Sequence, residues 1–265
     1  MTDDEPWPDP ADGQAGRSAR AARVPAPPSV AIDTGPTVAS WLRRMSPRFW
    51  LGFLMLLGFG WVTLDVLLQG PLVRLDHVVE SWTQANAPGV AVTVAHYSGH
   101  VGQRLYCVPL MAVLCVLLAW RRRQWRPMLV PLVVMVFLAL VVPGMKLWTG
   151  RTNPYSGVDL MYAGGTEYPS GHEINAIVVW GMTWALATCF TWPVGRWLTR
   201  RRQAVLTTIS TLIVTWSVLV ARTHWLSDVI AGVLMAVPLL WLVHWYGFVK
   251  APSETSAAGA QQRDG

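Results

Sequence analysis

The residues that could do chemistry in this chain stand in short polar segments between long apolar runs. In HWLSD, His224 and Asp228 are four residues apart, so a helix would place them on one face. A carboxylate bonded to one imidazole nitrogen fixes the tautomer and makes the other nitrogen a better nucleophile or base. In EYPSGHE, Ser170 and Gly171 offer a hydroxyl and unobstructed N–H groups that could cradle an anion, and His172 follows them. These segments predict a site for a small anion.

Three basic residues stand in polar segments as well: Lys146 and Arg151 in MKLWTGRTNPYSG, and Arg222 in ARTHWLSD. Two histidines and fixed cations, without a metal-binding cluster, favour phosphoryl transfer in which the cations do the neutralisation that Mg²⁺ does elsewhere. We therefore expect neither a metal nor another cofactor. Taken singly, the same residues are typical of a helix-capping pair, a turn or a snorkelling lysine. A charged side chain without a function costs free energy near a bilayer. The occurrence of all these polar residues on one membrane face, predicted below, therefore favours catalysis.

The composition predicts the element type that must position these residues. Hydrophobic residues make up 52% of the 265-residue chain and charged residues only 14%, where a soluble domain has about 25% charged residues. The charge is missing from runs long enough to cross a bilayer as helix. We predict an all-α fold, a polytopic membrane helical bundle with six transmembrane helices. The predicted spans are roughly Phe49–Leu68, Leu105–Trp120, Met128–Trp148, Ile174–Trp192, Ala204–Val220 and Val229–Phe248.

The rest of the chain divides around this bundle. Residues 1–40 are rich in Pro, Ala, Gly and charge and predict a disordered cytoplasmic tail, and residues 251–265 a second one. Residues 41–250 form the predicted membrane domain. Within it, residues 71–103 predict an outer loop whose LDHVVESWTQ segment is an amphipathic helix at the membrane interface. A loop helix packed on the bundle is the alternative.

Arginine clusters predict the orientation of the bundle. They lie before the first span and between spans two and three and spans four and five, so these loops and both termini are expected in the cytoplasm. The polar segments then share the extracytoplasmic face of the cell membrane. The net charge of +6 resides largely in such clusters, which indicates the bilayer as partner and not nucleic acid.

The segments KLWTGRTNP, PSGH and HWLSD, in this order and topology, resemble the type 2 phosphatidic acid phosphatases, the PAP2 superfamily. The resemblance covers roughly residues 50–248. It implies that His224 attacks phosphorus and carries a phosphohistidine, that Asp228 orients His224, and that His172 protonates the leaving oxygen and then helps to activate water. The residues that it implies for holding the phosphate oxygens are Lys146, Arg151, Ser170 and the Gly171 amide.

The chain departs from the family pattern in two places. Asn153 stands before Pro154 where the family's first motif has an arginine, and Val218 holds the place of the third motif's arginine. Arg222 follows Val218 by four residues, which on a helix is the same face about 6 Å along the axis. We expect Arg222 to take over the missing cation's work and Asn153 to contribute a hydrogen bond.

The sequence therefore predicts an integral membrane phosphatase acting on a lipid phosphate or pyrophosphate at the outer face. Candidate substrates are undecaprenyl diphosphate, phosphatidic acid and phosphatidylglycerophosphate. One alternative is a lipid-linked phosphotransferase using the same phosphohistidine. Another is an intramembrane serine protease with Ser170 and His224 as a dyad, although Tyr168 stands where those proteases have a glycine. The third is a non-catalytic protein that binds phospholipid.

Overall fold

The computed structural model describes residues 46–190 and 193–245, without the side chains of Arg48 and Arg126, and every regular element in these ranges is helical. The predicted all-α class is confirmed. The predicted tails, residues 1–40 and 251–265, lie outside the described residues. The α-helices are α1 (Pro47–Leu67), α2 (Pro71–Asn86), α3 (Gly89–Ser98), α4 (Arg104–Arg122), α5 (Arg126–Thr149), α6 (Gly171–Ala187), α7 (Pro193–Trp197), α8 (Arg200–Val220) and α9 (Leu226–Trp245).

The chain is a multi-pass membrane protein. Within the described residues, five helical stretches are long and apolar enough to cross a bilayer. The predicted fourth span corresponds to α6, which has 17 residues and is slightly shorter than the others. The count of six spans and the orientation of the termini stay predictions. The five stretches are Phe49–Leu67, Gly89–Arg122, Pro127–Ser156, Arg200–Val220 and Leu226–Trp245.

Helix α6 is the central helix of the described bundle. It packs against α4, α8 and α9, and most of its side chains are buried, as expected for a helix that is apolar all round. Gly232 allows α9 to approach the N-terminus of α6 closely, because a Cβ at this position would lie 2.9 Å from the carbonyl oxygen of Ser170 and from the Cβ of Glu173. The start of α6, which carries PSGH, is therefore held directly against α9.

The segment between α1 and α4 contains more helix than the sequence predicted. The predicted LDHVVESWTQ helix lies within α2. The chain additionally forms α3 and a 3₁₀ turn at Gly99–Gly102. On α2, Val78 and Trp82 are exposed and Asp76 is buried. Val78 and Trp82 thus point away from the protein, whereas Asp76 is buried in it together with the apolar Val73. A position of α2 at the membrane interface remains a prediction.

Candidate active site

The structure brings the two histidines of the polar segments into contact, although 52 residues separate them. His172 is the second residue of α6, and His224 lies in the short connection between α8 and α9. Nδ1 of His172 is 3.2 Å from Nε2 of His224, and the ring planes meet at 69°. His224 is buried, whereas His172 is half-buried. The two imidazoles can therefore act on one small group.

Two carboxylates approach the other nitrogen of His224. Oε2 of Glu167 is 3.3 Å from Nδ1 of His224, and Oδ2 of Asp228 is 3.5 Å from it. Both distances are long for a hydrogen bond, and the buried Nδ1 has no hydrogen-bond partner among the described residues, so Glu167 is at least as well placed as the predicted partner. No motif marks Glu167; its only signal in the sequence is a carboxylate three residues before Ser170, in the segment that carries His172.

Burial raises the pKa of Glu167, and the nearby His224 and Lys146 act in the opposite direction. Its side chain is still 18% exposed, whereas the Asp228 side chain is fully buried. Glu167 is therefore the one of these two carboxylates that can face both the imidazole and a bound substrate.

Arg151, predicted to bind phosphate, is fully buried and fully engaged by the protein. Its Nε and Nη2 donate to Asp159 at 2.9 and 2.6 Å, and Nη2 also donates to Asp76 at 2.7 Å. Its Nη1 donates to Ser227 at 2.6 Å and to Asp228 at 2.7 Å. A guanidinium has five N–H groups, and these five contacts use all of them. The geometry favours a role in holding Asp228, and the phosphate-binding role of Arg151 stays an untested expectation.

Asp228 is fixed from two sides. Its Oδ1 accepts from Arg151, and its Oδ2 accepts the backbone N–H of Trp225 at 2.9 Å. Its carbonyl oxygen accepts the N–H of Ser170 at 3.0 Å. The segment with His224 and the segment with His172 are thus joined at Asp228, which sets the distance between the two imidazoles.

The start of α6 provides donors for an anion. Ser170 is the N-cap, and its Oγ accepts the N–H of Glu173 at 3.4 Å. Ser170 itself is buried, so this hydroxyl is used for capping and does not lie at an open surface. The first-turn N–H groups of Gly171 and His172 have no acceptor within the helix. A Cβ added to Gly171 would lie 4.0 Å from Cε of Lys146, so this cation is close to the helix start.

Lys146 stands near the end of α5, and its Nζ donates to the carbonyl oxygen of Thr166. Thr166 precedes Glu167 in the chain. The ammonium group of Lys146 is therefore placed between the α6 N-terminus and the loop that carries Glu167, where it can approach an anion bound at either.

A cavity of about 620 Å³ opens beside the histidines. Of the predicted site residues, its walls include His172, His224, Asn153 and Arg222, together with Glu167. Lys146, Arg151, Ser170, Gly171 and Asp228, all within the described residues, are not part of these walls. The far wall comes from α3 and consists of Val92, Thr93, His96 and Tyr97.

Asn153, at the position of the first motif's arginine, and Arg222, expected to take over the work of the third motif's arginine, both line this cavity. Arg222 forms an ion pair with Glu80 of α2 and lies 3.5 Å from the carbonyl oxygen of Pro154 through Nη2. Asn153 uses Oδ1 to accept the N–H of Ser156 at 3.0 Å, which leaves its amide NH₂ as a donor. Of the three predicted cations, Arg222 is thus the one in the cavity wall.

Comparison with known proteins supports the resemblance seen in the motifs. Residues 129–251 match the model of the PAP2 superfamily, which confirms the predicted resemblance over this part of the chain. The fold is similar to the crystal structure of the first transmembrane PAP2 type phosphatidylglycerolphosphate phosphatase from Bacillus subtilis, with a TM-score of 0.60 and 18% sequence identity. The likeness covers 74% of this chain and 94% of that one. No curated protein matches the sequence.

Proposed function

We propose that this chain, with its PAP2 superfamily match over residues 129–251, is an integral membrane phosphatase that hydrolyses lipid phosphate or pyrophosphate monoesters through a phosphohistidine. The observation that carries the proposal is the contact between His172 and His224 in the wall of a cavity that also contains Arg222. Two imidazoles and a cation around one space are the groups that a phosphoryl transfer needs.

The first step uses Nε2 of His224 as the nucleophile. The carboxylates of Glu167 and Asp228 near Nδ1 favour the tautomer that carries the proton there, so that Nε2 has a free lone pair. Nε2 forms a bond to phosphorus while the bond from phosphorus to the leaving oxygen breaks. His172 gives its proton to that oxygen, so the lipid leaves as an alcohol, or as a lipid monophosphate from a diphosphate.

The second step releases phosphate. His172 takes a proton from water, and the hydroxide attacks phosphorus as the bond to Nε2 of His224 breaks. Arg222, Lys146 and the N–H groups at the start of α6 balance the charge on the phosphate oxygens. In this proposal the protein's own cations replace a metal ion.

The substrate must change the contact between the two histidines. At 3.2 Å, Nδ1 of His172 and Nε2 of His224 are at hydrogen-bonding distance. In-line transfer requires phosphorus to sit next to Nε2, with the leaving oxygen beyond it and His172 beyond that oxygen. The ring of His172 therefore moves outward when substrate binds. His172 is half-buried and lines the cavity, so this movement is directed into open space.

The proposal is tested by phosphate release from a detergent-solubilised panel containing a prenyl diphosphate, phosphatidic acid, phosphatidylglycerophosphate and a soluble sugar phosphate. We expect release from at least one lipid, none with His224→Ala, and a labelled phosphoprotein that His224→Ala abolishes. Dephosphorylation of the donor lipid that requires an added lipid acceptor, and that yields phosphorylated acceptor in place of free phosphate, would indicate the phosphotransferase instead. A labelled intermediate that survives in His224→Ala would overturn the proposed nucleophile.

A further inference from the structure

Helix α2 lies outside residues 129–251, which match the PAP2 superfamily, and none of the three motifs falls on it. One face of α2 nevertheless contacts the segment that carries His224. Oδ1 of Asp76 accepts the N–H of Ser227 at 2.8 Å, and its Oδ2 accepts the Ser227 hydroxyl at 2.5 Å. Asp76 therefore holds both the backbone and the side chain of a residue next to Asp228.

Asp76 is also linked to Asp228, the proposed partner of the nucleophile, through Arg151. Its Oδ2 accepts from Nη2 of Arg151 at 2.7 Å, and Nη1 of the same guanidinium donates to Oδ1 of Asp228 at 2.7 Å. The side chains of Asp76, Arg151 and Asp228 are all fully buried. Charge-assisted hydrogen bonds between buried groups have narrow geometry, so a shift of Asp76 is passed on to Asp228.

Two further residues of α2 contact the same segment. Glu80, four residues after Asp76 and thus on the same helix face, forms the ion pair with Arg222. His77 meets the ring of Trp225 edge to face, with centroids 5.2 Å apart. Consecutive turns of α2 thus contact residues on both sides of His224.

We propose that α2 supports the active site from outside its cavity, with Asp76 and Glu80 as positioning residues. Asp76 holds Asp228 and the start of α9 so that His224 faces the cavity. Glu80 holds Arg222 and offsets its charge, so a phosphate must share this guanidinium with Glu80. This inference rests on the proposed function, since the group that Asp76 positions is the proposed nucleophile.

The two residues have different expected effects. In Asp76→Asn only one of the two carboxylate oxygens remains as an acceptor, and an NH₂ donor takes the place of the other. We expect kcat to fall at least about tenfold, which corresponds to the loss of one charge-assisted hydrogen bond. KM is expected to stay within about twofold, because Asp76 does not line the main cavity. Glu80→Gln frees Arg222 for the substrate, and we expect KM and the inhibition constant of inorganic phosphate to fall by about two- to fivefold.

The experiment uses the full chain in detergent, with the lipid on which the wild type is active. Arg74→Gln, an exposed change on the same helix, is the matched control and is expected to leave both constants at the wild-type values. Should Asp76→Asn fail to fold, Ser227→Ala, which removes the hydroxyl contact with Asp76, is measured in its place and is expected to lower kcat with KM unchanged. Normal kcat in a folded Asp76→Asn or in Ser227→Ala, or an unchanged phosphate constant in Glu80→Gln, overturns the inference.

A measurement without turnover separates this inference from the proposed function. Inorganic phosphate raises the unfolding temperature of any protein that binds it in the folded state. We expect a given phosphate concentration to raise that temperature more in Glu80→Gln than in the wild type or Arg74→Gln. A wild type that releases no phosphate from any lipid refutes the proposed function, whereas equal phosphate-induced shifts in the three proteins refute the role of Glu80.

Discussion

Replacing Arg151 with lysine distinguishes a phosphate ligand from a buried support. Lysine keeps the positive charge but has three N–H donors in place of five, and all five donors of Arg151 are used within the protein. At least two charge-assisted hydrogen bonds are then lost among groups that are almost completely buried. Each such bond contributes about 1.5 kcal/mol or more, so we expect the free energy of unfolding to fall by about 3 kcal/mol.

The assay is thermal unfolding in detergent, followed by the fluorescence of the 16 tryptophans at one fixed scan rate. For a chain of this size, 1 kcal/mol corresponds to about 2–4 °C, so Arg151→Lys is expected to unfold about 6–12 °C below the wild type. Arg74→Lys, on the exposed face of α2, is the matched control and should unfold with the wild type. An unchanged unfolding temperature together with a KM raised tenfold would refute the reasoning and restore the phosphate-binding role.

Three further changes follow from the geometry of the site. Glu167→Gln is expected to lower kcat. The pKa of Glu167 is raised, so the part of the activity that needs its negative charge is present above this pKa and lost as the pH falls through it. The acid limb of the pH profile should therefore lie at lower pH in the variant than in the wild type. An acid limb at the same pH in both proteins would exclude this role. Gly232→Ala is expected to lower both the unfolding temperature and kcat, since its Cβ would lie 2.9 Å from the carbonyl oxygen of Ser170; wild-type values for both would contradict the close approach of α9 to α6. Treatment with EDTA is expected to leave phosphate release unchanged, and a loss of activity restored by Mg²⁺ would contradict the role given to the protein's cations.

The helices could be predicted from the sequence because their signal is local. Long apolar runs with few charged residues located α1, α4, α5, α8 and α9 to within a few residues. The region between α1 and α4 was less predictable, because α3 is an apolar helix that continues through a 3₁₀ turn towards α4. An apolar run interrupted by glycine and polar residues has no periodicity that would separate a loop from two short helices.

Residues of the site could be identified from the sequence where they lie in a motif, but their tertiary contacts could not. PSGH and HWLSD indicated His172 and His224, and the structure places the two rings in contact. The position of Arg151 could not be deduced, because its partner Asp76 lies 75 residues earlier in a segment without a motif. A positive charge beside a phosphatase motif indicates a phosphate ligand, and only the tertiary contacts show that every N–H of this arginine is already bonded to the protein.

The three cations differ in how far a phosphate can recruit them. Arg151 cannot offer a donor without breaking a buried contact, whereas Lys146 is half-buried and donates to a carbonyl oxygen, and Arg222 is half-buried and paired with one carboxylate. A phosphate competes more easily for a cation with one partner at a partly exposed position, since such pairs contribute little free energy. In the proposed reaction, charge neutralisation is therefore expected to fall on Lys146, Arg222 and the start of α6. Arg222 lies four residues after Val218, but helix α8 ends at Val220 and Arg222 has a φ of 54°, so the expectation that the two residues share a helix face is wrong. Arg222 nevertheless lines the cavity, and the prediction that it takes over the work of the third motif's cation now depends on this position.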